Sequence, residues 1–204
     1  MNSKLTVADV DLTDKRVLLR VDFNVPFKPG SMEISDLTRI ESSLPTINYL
    51  LQRNCKIILC SHLGRPGGRP DEAMSLRPIA EKLEEILQTQ VNFVSDCVSD
   101  EAVQITSDMG GGEIVLLENL RFHSAEEANE SEFARKLASL AEVFVNDAFG
   151  VAHRAHASVA KVTEYLPSAL GLLFSREVHS LSKIFQYPDR PFTAILGGAK
   201  ISDK

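Results

Sequence analysis

Cysteine, surplus positive charge and long apolar runs are scarce in this 204-residue sequence, and each shortage closes a class of function. The three cysteines, Cys55, Cys60 and Cys97, are an odd number without Cys-x-x-Cys spacing, which points to buried thiols in a reducing compartment rather than a disulfide or metal framework. Lysine and arginine number 22 against 28 aspartates and glutamates, a net charge of −6. That balance argues against a nucleic-acid partner, which needs a basic face for its phosphates. No stretch approaches the ~20 apolar residues that span a bilayer, and residues 1–7 carry no signal-peptide pattern. There is no internal repeat and no low-complexity tract. The expectation is a cytoplasmic protein without a membrane partner.

With 44% hydrophobic and 25% charged residues, the chain can bury an ordinary core. Short apolar runs, expected as strands, lie at 17–21, 56–61, 91–94, 113–117, 143–146 and 192–196. They alternate little, as strands covered on both faces do. Between them run helical stripes: Ile40, Leu44, Ile47, Leu51; Ile79, Leu83, Ile86; Phe133, Leu137, Leu140. Asn129 and Glu132 have the spacing of a capping box for the third stripe. This alternation predicts an α/β fold, a doubly wound parallel sheet with helices on both faces (Rossmann-like, three layers). A helix of about 20 residues is expected over 168–187, with the stripe Leu170, Phe174, Val178, Leu181 and Phe185. Pro188 and Pro191 then break the helical pattern before the last apolar run.

In such a sheet ligands bind beyond the carboxyl ends of the strands, and this chain puts anion-binding residue types there. Arg39, Arg65, Arg121 and Arg154 each follow a predicted strand end. Guanidinium groups match phosphate and carboxylate oxygens in pairs, and four that converge would repel one another without an anion between them. His62 follows a strand and can donate to such an anion or exchange a proton. Asp22 and Asn24 alternate with Phe23, so both polar side chains face one side, where they can hold a ligand hydroxyl. His153 and His156 lack a third ligand at a recognisable spacing, and His123 and His179 have no supporting context. Gly197-Gly198-Ala199-Lys200 is a candidate phosphate cradle, although it is not a Walker loop.

Five segments together resemble the phosphoglycerate kinase family, in the family's order. They are Arg20-Val21-Asp22-Phe23-Asn24-Val25-Pro26, Ser61-His62-Leu63-Gly64-Arg65-Pro66, Glu118-Asn119-Leu120-Arg121-Phe122, Val145-Asn146-Asp147-Ala148-Phe149-Gly150 with His153-Arg154-Ala155-His156, and Leu196-Gly197-Gly198-Ala199-Lys200-Ile201-Ser202-Asp203-Lys204. The resemblance implies two α/β domains joined by a long helix, and reversible phosphoryl transfer between 1,3-bisphosphoglycerate with ADP and 3-phosphoglycerate with ATP. It implies a 3-phosphoglycerate domain at 1–167, an interdomain helix at 168–187 and the start of a truncated nucleotide domain at 188–204. Asp22, Phe23, Asn24, Arg39, His62, Leu63, Gly64, Arg65, Arg121 and Arg154 would bind substrate. Arg39 and Lys200 would be catalytic. Gly197, Gly198 and Lys204 would contact Mg-ATP or Mg-ADP, most of whose site would lie in the missing half, and no metal ligand is assigned.

Two departures accompany the resemblance. Leu37 stands where the family commonly has an acidic residue, and the chain is about half the family's length. The expectation is therefore a substrate-binding half, inactive alone and free to self-associate, from an enzyme that is monomeric when whole. The alternative is a stand-alone binding module for phosphorylated acids, in which residues 192–204 would dock on 1–187. A dinucleotide-dependent dehydrogenase is disfavoured because no G-x-G-x-x-G follows the first strand.

Overall fold

The computed structural model describes residues 4–186 and 190–193. Six strands form one parallel sheet: β1 (Arg16–Arg20), β2 (Lys56–Cys60), β3 (Val91–Val94), β4 (Ile114–Leu117), β5 (Val143–Asn146) and β6 (Ser168–Leu170), in the order β3-β4-β2-β1-β5-β6. All five strand pairs are parallel. The connecting helices are α1 (Thr38–Leu51), α2 (Arg77–Leu87), α3 (Asp100–Asp108), α4 (Ser124–Glu127), α5 (Ser131–Ser139) and α6 (Leu172–Gln186). The winding reverses at β1, which has β2 on one side and β5 on the other. Ligands of open α/β sheets gather at such a point.

The continuous apolar strands resolve into two cores because successive side chains face opposite ways. Val17, Leu19, Ile57, Leu59, Leu116 and Val145 face Ile40, Ile47 and Leu50 of α1 and Ile79 and Leu83 of α2. Leu18, Ile58, Val115, Leu117 and Phe144 face Ala102 of α3 and Phe133 and Leu137 of α5. The three-layer α/β expectation holds, and five of the six expected strands form within one residue of their expected bounds. The sixth, at 192–196, lies largely outside the described residues. Phe192, which is described, is exposed.

Two local expectations are corrected. The helix expected from 168 begins at Leu172, because Ser168–Leu170 instead adds a strand beside β5. Leu170 also bridges Thr6, so its place in the apolar stripe belongs to a sheet edge and not to a helix face. Gly171 separates the two elements. A Cβ there would lie 2.1 Å from Asp147 Oδ1, so only hydrogen fits. The capping box is absent: Asn129 takes a left-handed φ of 55°, Glu130 is the N-cap of α5, and Glu132 pairs with Arg135 at 2.6 Å. Glu132 therefore stands one position too early to reach back to the cap.

Candidate functional site

The loops that follow β1, β2 and β4 are tied together before any ligand is considered. Asn24 Oδ1 accepts from Gly64 N at 2.9 Å, and Phe23 N donates to Ser61 Oγ at 2.9 Å. The buried Asn119 takes four bonds. Its Oδ1 accepts from Leu63 N and Arg121 N, and its Nδ2 donates to Leu63 O and Met74 O. Phe23 is buried while Asp22 and Asn24 are half-buried, as the strand alternation requires. Leu37, the departure from the family pattern, leaves α1 without a side-chain cap of its own, but Asp36 Oδ1 accepts from Thr38 N at 2.8 Å.

His62 lies at the centre of this arrangement and is buried. Arg20 Nη2 stands 3.1 Å from its Nδ1. A guanidinium only donates, so Nδ1 is the acceptor and the ring hydrogen sits on Nε2. Burial, then the fields of Arg20, Arg121, Arg154 and Arg39 in that order, push the His62 pKa down to about 2. His62 is a neutral donor here and not a titrating acid. Arg20 and Asp22 stand against the ring, at 3.1 and 3.9 Å from Nδ1, and the fields of Arg39, Arg121 and Arg154 reach it.

Arg121 is 3% exposed and spends Nη1 on Gly64 O at 2.7 Å. Its Nε and Nη2 make no hydrogen bond among the described residues. Glu127 Oε1 is 3.2 Å from Nε but off the line of the N–H. Burial lowers the Arg121 pKa, and Arg154 and Arg20 add to the effect against Glu127 and Glu126. Buried N–H groups without acceptors, inside a cluster of like charge, are the arrangement an oxyanion would complete. Arg39 Nη1 meets Asp22 Oδ2 at 2.6 Å, and Arg39 remains substantially exposed.

Arg20 is held in turn by a buried chain that the motif reading did not single out. Its Nε donates to Ser158 Oγ at 3.0 Å, and a guanidinium N–H donates to Val21 O. The Ser158 hydroxyl and amide both donate to Glu126, at 2.5 and 2.9 Å, and Glu126 is fully buried. A charged residue closing an apolar strand was the one available signal for Arg20. Glu126 and Ser158 had none, since each lies in a segment whose partner is far away in sequence.

Of the expected site residues, Asp22, Asn24, Arg39, His62 and Arg121 are joined by contacts within one cluster, Phe23, Leu63 and Gly64 supply their backbone frame, and Arg154 reaches the cluster through its field. Arg65 is exposed on the same loop as Gly64, and no hydrogen bond or ion pair joins it to the cluster among the described residues. Beside the cluster, Asp22, Thr38, Arg39, Ser42, Asp147, Gly150 and Glu177 help line a cavity of about 200 Å³. Asp147 Oδ1 accepts from Phe174 N at 3.1 Å, and Thr46 Oγ1 accepts from Leu172 N at 3.0 Å, which joins the sheet rim to the start of α6. Lys200, Lys204, Gly197 and Gly198 lie outside the described residues. The three thiols are buried, and burial raises Cys55 to about 11, Cys60 to about 12 and Cys97 well above its ordinary value, so none is a nucleophile at neutral pH.

Comparison with known proteins agrees with the motif reading. The family model described as phosphoglycerate kinase matches residues 7–204. A phosphoglycerate kinase of Moorella thermoacetica is 54% identical over 202 residues, covering 99% of this chain and 51% of that protein. One from Acidobacterium capsulatum is 51% identical over 209 residues, covering 99% and 52%. Among solved structures, phosphoglycerate kinase from Coxiella burnetii superposes with a TM-score of 0.85 at 36% identity, covering 98% of this chain and 50% of that one. That from Pyrococcus horikoshii gives 0.88 at 31%, with the same coverage. The chain spans about half the length of these relatives.

Proposed function

Because the chain belongs to the phosphoglycerate kinase family, we propose that it is the 3-phosphoglycerate-binding half of that enzyme, which moves a phosphoryl group reversibly between 1,3-bisphosphoglycerate with ADP and 3-phosphoglycerate with ATP. The observation that carries this reading is the buried Arg121, two of whose nitrogens are unbonded among the described residues, on the same rim as Arg39 and the neutral His62 that Arg20 bonds. Phosphoryl transfer asks for in-line positioning and charge neutralisation more than for proton chemistry. A rim of fixed cations with a neutral imidazole donor meets that demand. Asp22 and Asn24 would take the hydroxyl and carboxylate end of the substrate. Arg39, the most exposed of the converging arginines, would turn from Asp22 toward the phosphoryl group as charge develops.

The remaining roles belong to the same proposal. Lys200 would steady the group in flight, and Gly197, Gly198 and Lys204 would contact the nucleotide. Magnesium would arrive with the nucleotide. Asp22 is engaged by Arg39 through Oδ2 and by the Asn24 amide through Oδ1. Among the described residues no helix is long and apolar enough to cross a membrane, and we place the enzyme in the cytoplasm as a monomer when whole. The 204-residue chain alone is expected to bind 3-phosphoglycerate and not to turn it over.

Calorimetric titration of the chain with 3-phosphoglycerate tests this. Each charge-assisted hydrogen bond contributes ~1.5–3 kcal/mol, so Arg39→Ala and Arg121→Met should each weaken binding by roughly 10- to 150-fold. Saturable binding left unchanged by both substitutions would put the ligand elsewhere and sink the assignment. A folded wild type that binds nothing would overturn the claim that this half binds unaided.

A further inference from the structure

The carboxyl rim carries a second concavity, of about 570 Å³, beyond β3 and β4. Its charge is opposite to that of the arginine cluster. Asp71, Glu72, Asp96 and Glu118 line it together with Cys97 and His123, and among the described residues no lysine or arginine does. On its wall a carboxylate oxygen of Asp96, the Cys97 sulfur and a His123 ring nitrogen all lie within 4.8 Å of one another. Asp96 Oδ1 and His123 Nε2 are 3.2 Å apart.

Two separate segments meet to make this trio. Asp96 and Cys97 follow β3, where Asp96 Oδ1 accepts from Val98 N at 2.9 Å and Asp96 O accepts from Ser99 Oγ at 3.3 Å. His123 follows β4. Its amide donates to Leu120 O at 3.2 Å, and its ring packs on Phe133 with centroids 5.3 Å apart. The backbone under each group is therefore set before any ligand arrives. Cys97 is 1% exposed, and its thiol makes no hydrogen bond among the described residues, whereas Cys55 Sγ donates to Leu12 O at 3.0 Å. A buried sulfur without a partner, beside an imidazole and a carboxylate, at the edge of a negatively lined cavity, is a donor set that lacks only its cation.

We propose that Asp96, Cys97 and His123 form a binding site for a soft divalent cation of the zinc class, with a fourth position open to the cavity. Thiolate, imidazole and carboxylate are the ligand types zinc takes, and three protein ligands with one free position is the open form of its coordination; as the Cys97–metal bond forms the S–H bond breaks, and the proton leaves to solvent through the cavity. Tetrahedral bonds of ~2.0–2.3 Å put neighbouring donors about 3.4 Å apart. The Asp96–His123 pair already stands near that separation, and all three donors lie within 4.8 Å of one another. Glu118 is saturated by Ser75 Oγ, Leu76 N and Asn119 N. Asp71 and Glu72, exposed at the mouth, draw the cation in. The bound ion would clamp the turn after β3 to the turn after β4, independently of what the arginine cluster binds.

The test is a titration of the reduced, metal-free chain with Co²⁺ followed by Zn²⁺, read by absorption. One bound Co²⁺ should give a thiolate-to-cobalt charge-transfer band that Zn²⁺ abolishes, and Zn²⁺ should raise the thermal unfolding midpoint. Cys97→Ser should remove the band, His123→Gln should weaken binding by at least ~10-fold, and Cys55→Ser should leave both unchanged. The wild-type band is read without any substitution, so a variant that fails to fold does not blunt the test. The proposal is overturned if wild type binds no Co²⁺, if it binds without a thiolate band, or if the band survives Cys97→Ser in a folded protein. In those cases Asp96 and His123 are a polar contact beside an inert thiol.

Discussion

Acidification should destabilise this protein through His62 before most carboxylates titrate. In the folded chain His62 has a pKa of about 2, against an ordinary value of 6.5. Between those values the unfolded chain binds a proton that the folded chain refuses, so stability falls as the pH drops through that window. From pH ~7 to pH ~5 the loss works out at about 2 kcal/mol, since the unfolded imidazole is then protonated about 1.5 units below its pKa and each unit is worth ~1.4 kcal/mol. His62→Gln isolates this contribution. Its amide oxygen can accept from Arg20 as Nδ1 does, and it does not titrate. Urea unfolding of both proteins at the two pH values should show wild type losing about 2 kcal/mol more than the variant. His156, also depressed by burial, and Asp147, raised by burial, contribute equally to both proteins and cancel. Equal losses in wild type and His62→Gln would refute the reasoning, and would mean that burial and the neighbouring arginines do not hold the folded ring neutral.

Two further outcomes follow from the packing. Gly171→Ala would bring a methyl to 2.1 Å from Asp147 Oδ1 and so displace the acceptor of Phe174 N; a loss of ~1–3 kcal/mol is expected. Thermal denaturation checks it, and the cost should shrink in the Asp147→Ala background if the clash is the cause. Glu126→Ala would strip both Ser158 donors of their acceptor and leave Arg20 without the buried carboxylate behind its Ser158 partner. It should cost ~3–5 kcal/mol in denaturant unfolding, whereas Glu127→Ala, on a partly exposed pair, should cost far less.

The parallel sheet was legible because its strands are short, apolar and separated by amphipathic helices, and that pattern depends on burial alone. β6 was not legible: Ser168-Ala169-Leu170 reads equally well as the first turn of α6, and only the edge of β5 and the close approach of Asp147 to Gly171 decide between them. Arg39, His62, Arg121 and Arg154 were visible because each follows a strand end. Arg20 was hidden because it closes β1 itself, and its supports Ser158 and Glu126 sit 138 and 32 residues from the groups they bond. The Asp96–Cys97–His123 trio was missed for the same reason, since two ligands follow β3 and the third follows β4. Sequence spacing finds ligands that share an element, and the fold assembles the rest.

The net negative charge and the arginine cluster are parts of one arrangement. Four cations around a buried imidazole would not stay folded unaided, because two of them, Arg20 and Arg121, are buried and cannot shed a proton. Three carboxylates stand against them: Asp22 on Arg39, Glu127 beside Arg121, and Glu126 behind Ser158 and Arg20. These differ in how easily they can be displaced. Glu126 is fully buried and serves as permanent structure. Asp22 is half-buried, and its partner Arg39 is the more exposed of the two, so an incoming anion can take its place at little cost. The empty cluster thus rests close to neutrality, and a ligand carrying several charges is bound mainly by exchange against Asp22 and by the unbonded nitrogens of Arg121. It follows that Asp22→Ala should leave Arg39 without its acceptor while removing a contact for the ligand hydroxyl, so the affinity of a simple phosphate should rise in the variant even as that of a hydroxylated phosphoacid falls.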